Sequence, residues 1–256
     1  MRNFSTEGLV IKRKNFGEAD SLVTIFTKNQ GKITSIAKGV RKITSRRAPS
    51  LELFNQIKFF LYGNGKLPVL TEAASLQSFP NLKKDLDKLS LAYLILELLD
   101  QFLAEGQESQ KLYLLLVEVL EEINETEDLE KAKLLSSCFQ IKLLREVGYL
   151  PELYQCVRCG EKLSEEKNFL APNLGGLVDE NCGKALVVNR PIEKDVIKVI
   201  RFLNKETVDD VTKLNLMRFD VAEISQILNY YTVFYLEKDL GAEKFANAVE
   251  KLALVS

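Results

Sequence analysis

The chain contains no histidine among its 256 residues. This absence excludes the Ser-His-Asp triad, the Cys-His dyad, the HExxH zinc site and the His-containing deaminase site, each of which needs an imidazole as base or ligand. The chain also lacks a GxxxxGK[ST] loop and a GxGxxG turn, so no glycine-rich cradle for nucleotide phosphates is visible. The chain therefore lacks the residues on which most hydrolases, nucleotide-driven enzymes and dinucleotide-dependent enzymes rely.

Long apolar runs are missing as well. The most apolar stretch, residues 89–103, is interrupted by Glu97 and Asp100 and is shorter than the roughly 18–20 residues that a membrane span requires. The amino-terminal residues form no apolar run of signal-peptide length. A hydrophobic content of 46% is enough for a substantial core, so we expect a folded, cytoplasmic protein.

Charge is distributed unevenly along the chain. The first 80 residues contain 13 Lys and Arg against 5 Asp and Glu, whereas the whole chain contains 35 and 36. The densest part is residues 38–47, with five cations and no acid. This asymmetry predicts a polyanionic partner for the amino-terminal segment, and the alternative is a solvated surface loop. The candidate contacts are Lys38, Arg41, Lys42, Arg46 and Arg47 in this run, extended by Arg13 and Lys14.

The amino-terminal segment has the pattern of short β-strands separated by turn residues. The predicted strands cover residues 8–12, 21–27, 31–37, 56–62 and 69–73. Five strands with a long basic connection between the third and the fourth fit a small closed barrel, of which the OB-fold is the commonest five-stranded form. An SH3-like barrel is the structural alternative. Phe16, between the first two strands, is expected to seal the barrel rather than to stack on a base.

After Pro80 the apolar residues recur with the period of an α-helix. Predicted helices cover residues 82–103, 112–123, 129–147, 192–203 and 221–237. Gly148 has the position of a helix C′ residue, and Asp220 with Glu223 has capping-box spacing. The fold class is therefore α+β and multidomain. We expect an OB-fold barrel over residues 1–80, an α-helical bundle over residues 81–150 and 189–256, and an inserted zinc-ribbon-like knuckle over residues 151–188.

The inserted segment carries a candidate metal site. Cys156, Cys159 and Cys182 hold three positions of a C-x2-C-x19-C-x2-C zinc ribbon, and Asp179 holds the fourth. Four protein ligands would make the zinc structural, with no open position for a catalytic water, although an oxygen donor among thiolates should weaken the site. A redox role for the C-x2-C pair lacks the surrounding βαβ pattern. Cys138, in the middle of a predicted helix, is expected to be an ordinary buried residue.

Two groups of motifs carry a resemblance to a known family. The first group comprises residues 6–11, 17–20, 26–27, 31–32, 37–42 and 45–46, and the second comprises residues 92–99, 143–153 and the Cys156-x-x-Cys159-Gly160 turn. In this order and spacing they resemble the RecO family of bacterial recombination mediators over most of residues 4–186. The carboxy-terminal helices match only in type. The chain departs from the family at Asp179, where members with an intact ribbon carry Cys.

The resemblance implies non-enzymatic work in recombinational DNA repair by a cytoplasmic, nucleoid-associated protein. Proteins of this family bind single- and double-stranded DNA, anneal complementary strands, contact single-stranded DNA-binding protein, and with RecR help RecA to displace it. No base-reading motif is visible, so we expect binding without sequence preference, and the acidic helical part is the better candidate for protein contacts. Two other hypotheses remain: an RNA-binding OB-fold protein, and a zinc-dependent nucleic-acid enzyme, which the missing histidines disfavour.

Overall fold

The chain folds into two compact units. A computed structural model describes residues 4–63, 67–163, 167–187, 189–215, 220–237 and 240–242. The first unit runs to Ala92 and from Leu96 to Asn124, and the second comprises Tyr93–Ile95 and the chain from Glu125 onward. None of the helices in the described ranges is long and apolar enough to cross a membrane.

A closed five-stranded barrel forms the core of the first unit. Its strands are β1 (Phe4–Phe16), β2 (Asp20–Thr27), β3 (Gly31–Ala37), β4 (Gln56–Tyr62) and β5 (Val69–Gln77), in the order β1-β2-β3-β5-β4. The first half of β1 pairs with β4 and the second half with β2, and an irregularity between Val10 and Lys12 interrupts its register. This topology confirms the predicted OB-fold over the SH3-like alternative.

The barrel closes between β3 and β5, which run parallel. In the described part of the chain, Ile36 and Val69 are the one residue pair in register there, and the Ile36 N–H also donates to the Pro68 carbonyl at 2.9 Å. The apolar interior includes strand residues together with Val40 and Leu51 from the connection between β3 and β4. Val40 and Leu51 therefore anchor the basic connection in the core, the first within its charged part and the second after it.

The helices of the first unit begin with a break that the apolar pattern did not show. They are α1 (Pro80–Lys84), α2 (Leu86–Phe102) and α3 (Gln110–Glu125). The predicted single helix over residues 82–103 is wrong at its start, because Asp85 has extended backbone and its carboxylate accepts from the N–H groups of Asp87 and Lys88. Asp85 is thus the N-cap of a new helix, and Leu86 of the predicted apolar stripe is exposed.

The second unit combines helices with a small sheet. Its elements are α4 (Leu129–Glu146), β6 (Asn168–Ala171), β7 (Gly176–Asp179), α5 (Glu180–Gly183), β8 (Arg190–Ile192), α6 (Lys194–Lys205), α7 (Val208–Thr212) and α8 (Val221–Leu236). Helix α4 packs against α6, α7 and α8, and Cys138 within it is completely buried, as predicted. The sheet has the order β7-β6-β8. Residues 243–256 of the predicted carboxy-terminal helical domain lie outside the described residues.

Helix ends in the second unit follow local sequence signals. Helix α4 ends shortly before Gly148, whose φ of 85° is the left-handed conformation that favours glycine. Asp220 is the N-cap of helix α8, and its carboxylate accepts from the N–H of Glu223 at 3.0 Å. The short helix α7 was not predicted, although its capping box between Thr207 and Asp210 is visible in the sequence.

An ion cluster joins α2 to the barrel within the first unit. The Lys32 ammonium lies 3.0 Å from Asp100 Oδ1 and 2.6 Å from the Asp100 carbonyl, and Lys12 pairs with Asp100 Oδ2. The Lys32 side chain is only 9% exposed. Burial acts to raise the pKa of Asp100, but the hydrogen bonds and charges of Lys12 and Lys32 outweigh it and hold that pKa below its usual range. The carboxylate therefore stays ionised well into the acid range.

Replacing Asp100 with Asn should lower the free energy of unfolding at pH 7 by about 3 kcal/mol, because Lys32 is left buried without a countercharge. The exposed Glu72 of β5 offers a matched control, since Glu72→Gln makes the same charge change and should cost less than about 0.5 kcal/mol. Urea unfolding measures both, and equal stability of wild type and Asp100→Asn at pH 7 would contradict the assignment.

The same pair of proteins gives a pH test. Because the folded-state pKa of Asp100 is depressed, its contribution is present above the unfolded pKa and is lost as the pH falls through the folded pKa. The stability difference between wild type and Asp100→Asn should therefore shrink as the pH is lowered below about 4.

Candidate nucleic-acid interface and metal centre

The basic run forms the connection between β3 and β4 at one end of the barrel. Two turns shape it: the Lys42 N–H donates to the Gly39 carbonyl at 3.2 Å, and the Ser45 N–H donates to the Lys42 carbonyl at 2.9 Å. We call residues 38–47 the basic loop. Four of the five predicted cations are exposed on it, namely Lys38, Arg41, Lys42 and Arg46.

Hydrogen bonds tie the basic loop to the turn between β1 and β2. The Gly39 N–H donates to Asp20 Oδ1 at 2.7 Å, the Arg41 N–H donates to the Ala19 carbonyl at 2.8 Å, and the Arg41 guanidinium reaches the Gly17 carbonyl at 3.2 Å. Gly39 has a φ of 65°, which a residue with a side chain adopts at a cost. The loop is thus held beside the β1–β2 turn.

Arg47 differs from the other four cations of the run because it is half-buried and its guanidinium donates to three backbone carbonyls. Its Nη2 donates to the Lys38 carbonyl at 2.6 Å, and its Nη1 donates to the carbonyls of Leu70 and Thr71. Lys38 directly follows β3, whereas Leu70 and Thr71 belong to β5. Arg47 therefore bridges the two strands at the seam where the barrel closes.

The strand register shows which residues share the outer face of β1, β2 and β3. Lys14 pairs with Leu22, which pairs with Ile36, and the neighbouring row on the same face contains Lys12, Thr24 and Thr34. A third row pairs Phe26 with Lys32. These rows divide the face into two parts with different surroundings.

One part of this face is covered by the helices of the first unit and the segment between them. The Phe26 ring lies 6.2 Å from the Tyr113 ring, centroid to centroid, and Lys32 is neutralised by Asp100 as described above. Thr34 donates to Glu105 through its hydroxyl at 2.5 Å and through its N–H at 3.2 Å. Two carboxylates therefore lie against this part of the face.

The other part is accessible and borders the basic loop. Leu22 and Ile36 are half-buried, Lys14 is exposed, and Phe16 is 45% exposed. The expectation that Phe16 seals the barrel is wrong, because it is the exposed last residue of β1 and pairs with Asp20 at the turn end of the hairpin. We call Lys14, Phe16, Leu22 and Ile36 the open face.

Of the two cations proposed to extend the surface, only Lys14 lies on the open face. Arg13 pairs with Val23, and successive side chains of a strand point to opposite sides. Arg13 is therefore on the other side of β1, where it is half-buried.

The second unit brings the four predicted metal ligands together. The donor atoms of Cys156, Cys159, Asp179 and Cys182 all lie within 4.8 Å of one another. A tetrahedral zinc site with Zn–S bonds of 2.3 Å has donors about 3.8 Å apart, so an adjustment of about 1 Å or less would complete it. These four residues could hold a metal ion.

Local backbone structure positions the first two donors. The Cys156 N–H donates to the Glu161 carbonyl and the Gly160 N–H donates to the Cys156 carbonyl, both at 2.8 Å, which closes a tight turn around Cys159. Gly160 has a φ of 80°, as this turn requires. The Val157 N–H donates to the Leu177 carbonyl at 2.9 Å, so the turn is attached to β7.

The two oxygens of Asp179 have separate partners. Oδ1 accepts from the Cys182 N–H at 2.9 Å and caps α5, while Oδ2 accepts from the Cys159 thiol at 3.1 Å. Hydrogen bonds from the Cys156 thiol and the Cys182 N–H hold the pKa of Asp179 well below its usual range. Desolvation and the neighbouring Cys156 and Asp179 raise the pKa of Cys182 to about 12. Three sulfurs and a carboxylate, whose charged forms would repel one another, are thus crowded around one point, and a bound cation would stabilise those charged forms.

Comparison with known proteins agrees with this arrangement. A family model described as "Recombination protein O N terminal" matches residues 1–79, and one described as "Recombination protein O C terminal" matches residues 83–244. The chain belongs to the RecO family. Both the barrel and the helical unit with its metal-ligand cluster therefore lie within family-matched sequence.

Individual RecO proteins are similar to this chain over nearly its full length. The "DNA repair protein RecO" of Roseiflexus sp. (strain RS-1) is 30% identical over 255 residues, covering 100% of this chain and 89% of the relative. That of Thermoanaerobacter sp. (strain X514) is 28% identical, covering 98% of this chain and 100% of the relative. That of Dehalococcoides mccartyi (strain ATCC BAA-2266 / KCTC 15142 / 195) is 29% identical, covering 98% of both. RecO membership supports a role in DNA repair and recombination.

The Arg47 bridge can be tested by unfolding. Replacing Arg47 with Ala should lower the free energy of unfolding by about 2 kcal/mol, because three carbonyls lose a charged donor. Arg47→Lys should recover little of this lost stability, since an ammonium does not present the planar fork of a guanidinium. The exposed neighbour Arg46 is the control, and Arg46→Ala should be nearly neutral. Similar losses for Arg46→Ala and Arg47→Ala in urea unfolding would refute a special role for Arg47.

Proposed function

We propose that this RecO protein is a non-enzymatic recombination mediator that binds single- and double-stranded DNA without sequence preference and anneals complementary strands. With RecR, it would help load RecA onto DNA coated by single-stranded DNA-binding protein. The observation that carries the proposal is the juxtaposition of the basic loop with the open face of an OB barrel. A cationic groove beside apolar platforms is the combination with which OB-folds bind single strands.

Each side of this surface has a role in the proposed binding. The exposed cations Lys38, Arg41, Lys42 and Arg46 would contact phosphates, and Lys14 would add a contact on the open face. Phe16, Leu22 and Ile36 would lie under the bases, which need only an apolar surface to stack on and carry no sequence information in this contact. Arg47 would act mainly by holding the loop, and we assign Arg13 at most a peripheral contact.

The covered part of the outer face limits the path of the strand. Asp100 pairs with both Lys12 and Lys32, and with the carboxylate of Glu105 beside Thr34 the two negative charges balance the two lysines. A phosphate approaching this part would meet helix and a set of charges that sum to zero rather than free cations beside an apolar platform. We infer that the strand stays on the open face and continues onto the basic loop.

Annealing follows from the same charges. A surface that neutralises two phosphate backbones lowers the repulsion between them, and contacts that are individually weak allow the duplex to leave. The remainder of the chain, residues 81–256, carries 22 basic against 31 acidic side chains, so it is the better candidate for contacts with RecR and single-stranded DNA-binding protein. DNA binding of this kind would place the protein at the nucleoid.

Substitution of the basic loop tests the proposed DNA surface. Arg41, Lys42 and Arg46 replaced together by Ala should weaken binding of all single-stranded sequences alike, and the slope of log affinity against log salt should fall by about 2, at 0.7 per phosphate contact. The control replaces the exposed Lys184, Lys198 and Lys205 by Ala, which makes an equal charge change in the second unit. Fluorescence anisotropy at several salt concentrations gives both slopes.

An annealing assay with strands coated by single-stranded DNA-binding protein tests the mediator role. The wild type should accelerate annealing, and the basic-loop variant should lose most of this acceleration while the control variant keeps it. An unchanged salt slope and an unchanged annealing rate for the basic-loop variant would show that the loop is merely solvated. Preference for RNA in competition between matched DNA and RNA oligonucleotides would favour the RNA-binding hypothesis.

We also propose that the four-residue cluster of the second unit binds one structural zinc. The cluster provides three sulfurs and Asp179 Oδ2, while Asp179 Oδ1 keeps its bond to the Cys182 N–H, which orients the carboxylate. Zinc would supply cross-linking between the turn of Cys156 and the end of β7, in an insertion whose own apolar cluster is small. Four protein donors leave no position for a reacting water, which disfavours a zinc-dependent enzyme.

Metal analysis of purified protein should find about one zinc per chain, as expected for a closed four-ligand site. Cys159→Ser should abolish most of this zinc, whereas Cys138→Ser, which changes the buried cysteine of α4, should retain it. Asp179→Cys should slow zinc loss to a chelator, because a thiolate is the softer ligand. Equal zinc content in Cys159→Ser and wild type, or no zinc in either, would refute the site.

A further inference from the structure

Ile43, at the crown of the basic loop, is an apolar residue in an unusual place. Its side chain is 105% exposed, as open to solvent as in an isolated extended peptide. Val40, the other aliphatic residue of the loop, is completely buried in the barrel core. The loop therefore buries one of its two aliphatic residues and presents the other to solvent.

The surroundings of Ile43 set it apart from an ordinary exposed apolar residue, which needs no explanation by itself. Lys42 precedes it, and Arg41 and Arg46 lie on the same loop, all exposed. A polyanion drawn to these cations would also meet the exposed Ile43 side chain of the same loop. A protein partner would more naturally meet an apolar patch than one aliphatic side chain on a loop of exposed cations.

Hydrogen bonds also hold the backbone around Ile43 in place without a bound ligand. The turn closed by Gly39 and Lys42 precedes it, and the turn closed by Lys42 and Ser45 contains it. Both ends of the loop are fixed, by Gly39 on Asp20 and by Arg47 on the β3–β5 seam. A β-branched side chain has few rotamers, so little conformational freedom would be lost when Ile43 is buried against a ligand.

We propose that Ile43 is a wedge that inserts between neighbouring bases of the bound DNA and unstacks that step. Aliphatic wedges carried on a cationic surface are a known way for proteins to open base steps, and the phosphate contacts offset the cost of unstacking. This inference rests on the proposed DNA binding. It adds an apolar contact with the bases, which the charged side chains of the loop do not provide. In annealing, the wedge would hold bases apart from their neighbours and leave their pairing edges accessible.

Fluorescence of 2-aminopurine, which rises when this base is unstacked, reads out the wedge directly. Full-length protein at saturating concentration should increase the fluorescence of a duplex and of a single strand that each contain 2-aminopurine. Ile43→Ala should remove most of this increase, whereas Ile43→Leu should keep it. The salt slope of Ile43→Ala should stay unchanged and its affinity should fall less than about tenfold, because no phosphate contact is lost.

Val187 provides a matched control, since it is another β-branched residue whose side chain is completely exposed, at 100%, but it lies in the second unit. Val187→Ala should leave the fluorescence increase unchanged. Urea unfolding should show that neither substitution alters stability, as expected for exposed side chains.

The possible failures are distinguishable. An undiminished fluorescence increase in Ile43→Ala would overturn the wedge and leave DNA binding in place. Loss of RecR or single-stranded DNA-binding protein contact in Ile43→Ala, with the fluorescence increase intact, would show that Ile43 meets a protein and would likewise overturn the wedge. Absence of DNA binding by the wild type at low salt would overturn the proposed function and the wedge together.

Discussion

Closure of the barrel between β3 and β5 is the constraint on which the candidate DNA surface depends. Parallel pairing at this seam is sparse in the described residues, with Ile36 and Val69 in register. Arg47 supplements it by binding carbonyls on both sides of the seam. The same guanidinium fixes the end of the basic loop, so one set of hydrogen bonds both closes the barrel and positions the loop. In the sequence Arg47 resembles the neighbouring cations, but in the structure it stabilises the barrel and loop that carry them.

Electrostatics within the first unit separate cations that are available from cations that are neutralised. Lys12 and Lys32 belong to the same amino-terminal basic excess as the loop, yet Asp100 pairs with both. Their charges attract this carboxylate of α2, and the same hydrogen bonds and charges hold the pKa of Asp100 below its usual range. The remaining excess is concentrated in the basic loop. The sum over 80 residues therefore overstates the charge available to a polyanion and conceals where it lies.

Much of the architecture could be predicted because its determinants are local. Alternating apolar residues and turn signals identify five strands, helical periodicity and caps identify α4 and α8, and cysteine spacing identifies the metal-ligand group. Asp85 shows the limit of periodicity, since a stripe of leucines continues through a position where a carboxylate starts a new helix. The open face was missed because β2 is apolar on both sides: Leu22 and Phe26 point outward while Val23 and Ile25 point inward.

The sequence by itself determined the OB-fold class, the helical second part, the ligand set of Cys156, Cys159, Asp179 and Cys182, and the position of the basic run, because composition, period and spacing act over a few neighbouring residues. Only the tertiary structure decided which cations remain exposed, which end of the outer face is open, and that Arg47 braces the seam. Those properties depend on Asp100, Glu105, Leu70 and Thr71, which lie far along the chain from the residues they restrain. Pairing at such separations is set by how the barrel closes and where α2 packs, and no local pattern encodes it.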